Sequence, residues 1–217
     1  LAEETSFRLS QRLSPSRVAQ VRASIKDALI TATKGEDVDI LFEDVNSVDE
    51  EAAIEMTEQK SGALVAMAFR LAASVATDDK AILKAVAEFG TQVGTISQLE
   101  NDAQACTRDL ALAGTDLRLR KKTLPVAYAL QCARSEDRQD FLAHFEKPRT
   151  KLSQRQILDM QGYIAECGGL HYAWTVCEAV RHRAAGSLEK LGRLIGTEVA
   201  EGLKNLIPPL RPMESMG

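Results

Sequence analysis

Gln98 and Asp102 stand four residues apart, and Gly90 and Gly94 precede them at the same interval. On a helix turning about 100° per residue, Gly94, Gln98, Asp102, Ala105 and Asp109 share one stripe. That stripe is small at one end and polar at the other. A glycine inside a helix costs roughly 1 kcal/mol relative to alanine, so two of them four apart predict a partner packed close. The polar end, in an otherwise apolar helix, predicts a cavity or a ligand. A second run, Asp116-Leu117-Arg118-Leu119-Arg120-Lys121-Lys122-Thr123-Leu124-Pro125, sets lysines beside a Thr-Leu-Pro break and supplies positive charge near the acids.

These two runs, with three weaker ones in order around them, resemble the trans-isoprenyl diphosphate synthase (polyprenyl synthetase) family. The weaker ones are Gly35-Glu36-Asp37-Val38-Asp39-Ile40, Lys60-Ser61-Gly62-Ala63-Leu64 and Gly168-Gly169-Leu170-His171-Tyr172-Ala173. The resemblance implies an all-α isoprenoid-synthase-type bundle, here lacking its N-terminal helices. It also implies a Mg²⁺-dependent prenyltransferase that joins an allylic isoprenyl diphosphate to isopentenyl diphosphate or another nucleophile and releases diphosphate. A homodimer is implied in the same way.

Such chemistry must neutralise a departing diphosphate and keep water from a carbocation. By carry-over from the family, Lys60 and Lys121 grip the diphosphate, with Lys122 as an alternative to Lys121, and Gln98 hydrogen-bonds it. Magnesium takes hard oxygen ligands, few of them from protein, and Asp102 with Asn101 is the implied pair. The plainer readings are a solvated charge for each lysine and a surface patch for Asn101-Asp102. Asp39, among Glu36, Asp37, Glu43 and Asp44, fits a solvated acidic face as well as a site. Ala63, Ala66, Met67 and Leu71 fit an isoprenoid tunnel or an ordinary buried helix.

The departures from the family are informative. No Asp-Asp-x-x-Asp motif is present, Ala105 stands where a third aspartate is usual, and Arg120 replaces a glycine before Lys121. Ser97 stands in place of an aromatic residue that could steady cationic charge. An Asn-Asp pair also resembles the class I terpene cyclases, with Asn101, Ala105 and Asp109 an imperfect match to their triad. Loss of metal ligands favours a third reading, a non-catalytic partner subunit. The Lys121-to-Pro125 segment favours the transferase over the cyclase. Because the chain opens on Leu1, it reads as part of a longer protein.

Helices must position these groups. Ser14-Pro15 marks a start, with apolar spacing to Lys34-Gly35 continuing through Phe42. One long helix is expected from Asp49 to just before Thr77, and Thr77 is the expected cap of the motif helix, Asp79 to about Cys106. Ala113-Gly114-Thr115 reads as a loop. Further helices are expected from Thr123 to Ala133, Glu136 to Phe145, Ser153 to Glu166 and Leu170 to about Leu194, in a single domain over 1–217 with an irregular tail from 205. No period-2 strand pattern appears.

Composition agrees with a helical chain: aromatics are only 5%, and alanine and leucine dominate. The net charge of −4, with both signs interspersed, argues against nucleic-acid binding. The longest apolar run, Ala63 to Phe69, falls far short of the roughly 20 residues a bilayer span needs. Cys106, Cys132, Cys167 and Cys177 show no metal-binding spacing and read as reduced thiols of a cytoplasmic protein. His144, His171 and His182 are too scattered for a zinc site.

Overall fold

The structure is a computed structural model that describes residues 14–107, 115–146 and 151–209. Every regular element among them is helical. Ser14 accepts a hydrogen bond from the Arg17 N–H at 3.4 Å, and α1 (Pro15–Asp44) follows. It runs unbroken through Lys34-Gly35 and buries a narrow face of Ala28, Gly35 and Asp39. Asp49 caps α2 (Glu50–Thr57), which passes through a π-helical turn (Glu58–Gly62) into α3 (Ala63–Ala76). Apolar spacing predicts one regular helix here. The wide turn, a distortion concentrated at functional sites, interrupts it at Lys60 and Ser61.

Helix α4 (Lys80–Ala105) is capped by Asp79, whose carboxylate accepts from the Ala81 and Ile82 N–H groups at 2.7 and 3.2 Å. Thr77, the expected cap, instead accepts from the Asp79 N–H at 3.1 Å. A carboxylate complements the positive helix end better than a hydroxyl does. Next come a short helix α5 (Thr115–Leu119), α6 (Leu124–Ser135), α7 (Gln139–Leu142) and a 3₁₀ turn (Ala143–Phe145). The single helix expected from Glu136 to Phe145 starts only at Gln139, after Asp137 takes a left-handed φ of 54°, and ends in the 3₁₀ turn. Helix α8 (Gln154–Glu166) opens on a Ser153–Gln156 capping box, and α9 (Gly169–Ile195) is followed by α10 (Thr197–Lys204). Sequence periodicity missed both α5 and α10. Ala113-Gly114, Asp109 and the tail from 210 lie outside the described residues.

Two apolar clusters hold the bundle. One gathers Phe89, Ile96 and Leu99 of α4 against Trp174, Cys177 and Leu191 of α9. The other packs Leu130 of α6 against Phe141, Phe145, Ile157 and Ile164. Arg181 pins the α4–α9 pair, reaching Glu100 at 3.1 Å and Glu178 at 2.8 Å. No residue of α3 is buried, so Ala63, Ala66, Met67 and Leu71 are not core residues here. Among the described residues, no helix is long and apolar enough to cross a membrane.

Candidate functional site

Two close approaches build the site. A Cβ on Gly35 would lie 2.5 Å from the Lys60 backbone nitrogen, and one on Gly94 would lie 2.9 Å from the Ser61 carbonyl oxygen. Glycine at both positions lets α1 and α4 close on the π turn from either side. The turn then holds Lys60 and Ser61 over the polar stripe of α4. Lys60 Nζ donates to Asp39 Oδ2 at 2.7 Å and to Glu36 Oε2 at 2.8 Å. Ser61 Oγ donates to Gln98 Oε1 at 2.8 Å, and Gln98 Nε2 donates to Asp102 Oδ1 at 2.7 Å.

The second lysine arrives by a backbone reversal. Arg120 takes a left-handed φ of 55° where glycine would be unstrained, and its Nε donates to the His144 carbonyl at 2.6 Å. The reversal swings Lys121 onto Asp39 Oδ2 at 3.0 Å. It sends Lys122 the other way. Lys122 is fully buried, with Nζ 5.5 Å over the Phe145 ring and donating to the Arg120 carbonyl at 3.4 Å. The expected diphosphate role of Lys122 is therefore corrected: its side chain belongs to the second core, because consecutive residues after the reversal face opposite sides.

Lys60, Lys121, Gln98, Asn101 and Asp102 thus line one hollow of about 200 Å³, with Asp39, Asp116, Thr123 and Met56 completing its wall. Burial drives the Asp102 carboxyl up to about 7, assisted by the neighbouring Asp116 and Asp39 and opposed by the Gln98 hydrogen bond. Asp116 is likewise raised by burial, against the pull of Lys121. Burial also pushes Asp39 upward, but the hydrogen bonds and charges of Lys60 and Lys121 outweigh it and hold the carboxyl below its usual range. Lys60, held by Asp39 and Glu36 against its own desolvation, is raised. The buried Cys106 thiol is pushed up by burial and then by Asp102 and Asp116.

The oxygens of Asp102, Asp116 and Asn101, with the buried and unpartnered Oδ1 of Asp39, form a hard donor set suited to magnesium. Among the described residues, no three carboxylate, histidine or cysteine side chains converge tightly enough to hold a metal alone. Lys60 and Lys121 line the same space as point charges, both bonded to Asp39 Oδ2.

From sequence alone Asp39 fits a site or a solvated face, yet it is 3% exposed. The signal was there: Gly35 and Asp39 lie four apart, so the face that admits Lys60 also presents the acid. Glu36, Ser61, Asp116 and Thr123 were not assigned. Asp116 and Thr123 flank Lys121 in the same run, while Ser61 follows Lys60 directly.

A sequence model of the family described as Polyprenyl synthetase matches residues 2–160. A geranylfarnesyl diphosphate synthase of Aeropyrum pernix is 29% identical over 171 residues, covering 77% of this chain and 52% of the relative. A (2E,6E)-farnesyl diphosphate synthase of Mycobacterium bovis is 28% identical over 177 residues, covering 80% and 49%. The chain spans about half the length of the curated relatives it matches. A geranylgeranyl pyrophosphate synthase of Corynebacterium glutamicum, solved with isoprenyl diphosphate and magnesium, shares the fold at a TM-score of 0.79 and 23% identity over 90% of this chain and 56% of that one. Fold, paired glycines, lysine walls and family match agree, and the chain belongs to the polyprenyl synthetase family.

Proposed function

We propose that the protein carrying this chain is a magnesium-dependent prenyltransferase, which condenses an allylic isoprenyl diphosphate with isopentenyl diphosphate or another nucleophile. The observation that carries the reading is the convergence of Lys60, Lys121 and Gln98 with Asp102 in one hollow. The allylic C–O bond breaks with its electron pair on the departing diphosphate. The nucleophile then captures the allylic carbon, and an alkene acceptor afterwards sheds a proton. Lys60 and Lys121 neutralise charge developing on the diphosphate oxygens, and the Gln98 amide, oriented by Ser61, offers a further polar contact. Magnesium bound at Asp102 and Asn101 would supply Lewis-acid neutralisation of the same oxygens.

The relatives named as prenyl diphosphate synthases support this substrate class. Leu29, Ile30, Ile40 and Leu41 lie exposed on α1, an apolar face that fits the homodimer this reading includes. Free thiols at Cys106, Cys132, Cys167 and Cys177 fit a reducing cytoplasm. The test is incubation with isopentenyl and allylic diphosphates plus Mg²⁺, following pyrophosphate release and prenyl products. Turnover that falls at least about 100-fold in Lys121→Ala supports the reading. Absence of both pyrophosphate release and Mg²⁺-dependent pyrophosphate binding overturns it.

A further inference from the structure

Thr123 occupies the N-cap of α6, with φ −64° and ψ 165°, yet its side chain makes no capping hydrogen bond. A capping hydroxyl normally accepts from the second or third N–H of its helix. The second position here is Pro125, which has no N–H, and the Val126 N–H is not taken. The Thr123 backbone does start the helix, accepting from the Ala127 N–H at 2.9 Å. Its side chain is 3% exposed, and Oγ1 is buried without a hydrogen-bond partner. The buried Cys106 thiol lies close enough to feel this hydroxyl, but not in hydrogen-bonding geometry. A buried, unsatisfied hydroxyl is a cost the fold does not relieve internally. It lines the hollow shared by Lys60, Lys121 and Asp102.

We infer that Thr123 is a ligand-contacting residue of this hollow: its hydroxyl donates a hydrogen bond to an oxygen of the bound diphosphate, at the positive end of α6. The inference rests on the diphosphate reading of the same site and adds a contact to it. Two donors two residues apart then serve the anion, Lys121 Nζ and Thr123 Oγ1, both of which line the hollow.

The test is isothermal titration of inorganic pyrophosphate, with Mg²⁺, into the full chain and its variants, together with ligand-free melting curves. Thr123→Val keeps shape and removes the hydroxyl; Thr123→Ser keeps the hydroxyl. Thr123→Val should bind Mg²⁺-pyrophosphate about 10-fold to 100-fold more weakly, as for a lost hydrogen bond to a charged group. Its ligand-free melting temperature should be unchanged or higher, since no folded-state hydrogen bond is lost. Thr123→Ser should restore most of the affinity. A Thr123→Val protein that binds as wild type does, while Lys121→Ala loses binding, overturns this inference alone. A Thr123→Val protein that melts several degrees lower without ligand assigns the hydroxyl to the fold and also overturns it. A wild-type chain that binds no pyrophosphate overturns the diphosphate reading and this inference together.

Discussion

Gly35→Ala tests the architecture of the site without touching any charged group. The new Cβ would sit 2.5 Å from Lys60 N, 2.9 Å from Lys60 Cα and 3.0 Å from the Gln59 carbonyl carbon. All three are backbone atoms of the π turn, so no side chain can swing aside. The closest contact falls about 0.9 Å short of the 3.4 Å at which ordinary packing begins, and close-packed interiors do not absorb that without moving a helix. Overpacking of this kind costs about 1–3 kcal/mol, and rigid neighbours put it at the upper end. Alanine's better helix propensity returns about 1 kcal/mol. The net loss of about 2 kcal/mol lowers the melting temperature by roughly 4–8 °C in a chain of this size. Because the atoms displaced carry Lys60, Mg²⁺-pyrophosphate affinity should fall as well, by about 5-fold or more if Lys60 supplies ~1 kcal/mol there. Gly186→Ala in α9 is the control, since a Cβ there meets nothing within 4 Å. It should raise the melting temperature by roughly 2–4 °C. Calorimetry and titration of both variants decide the matter. A Gly35→Ala protein melting at or above wild type, with unchanged affinity, refutes the claim that α1 and the π turn are locked by that contact.

Three further outcomes follow from the same geometry. Asp39→Asn removes the anion that both Lys60 and Lys121 hold at 2.7 and 3.0 Å; with the lysines only partly buried, the loss should be about 2 kcal/mol by urea denaturation, and an unchanged midpoint would discredit the clamp. Asp102 has a folded-state value of about 7 against an ordinary 3.8. The folded protein therefore holds that proton longer than the unfolded chain, so this group's contribution to stability is fully present below 3.8 and is lost as pH rises towards 7. Mg²⁺ affinity should rise through the same window as the carboxylate forms, and Asp102→Asn should flatten both profiles; pH-independent curves in wild type would contradict the burial argument. Lys122→Ala should destabilise the fold by about 2–3 kcal/mol through loss of a buried, partnered side chain, while pyrophosphate affinity stays within about 2-fold. Affinity lost in proportion to that of Lys121→Ala would return Lys122 to the site.

Local periodicity determined a great deal. The caps at Ser14 and Ser153, the apolar spacing of α1 and α9, and the stripe of Gly90, Gly94, Gln98 and Asp102 all depend on residues within a few positions of one another. Helical geometry alone puts such residues on one face. The family resemblance also implies that Lys60 and Lys121 lie near that stripe. Tertiary structure decided what local rules leave open. Asp39 is a buried clamp rather than a solvated acid because Lys60 and Lys121, 21 and 82 residues away along the chain, close over it. Lys121 faces the hollow and Lys122 the core because one left-handed residue, Arg120, is anchored to the His144 carbonyl. The π turn arises where two glycine-lined helices press on one segment, and no spacing within that segment announces it. Side-chain periodicity is a property of consecutive residues. Burial, and the charge partners that shift a carboxyl or free a hydroxyl, are properties of whichever distant elements pack against them.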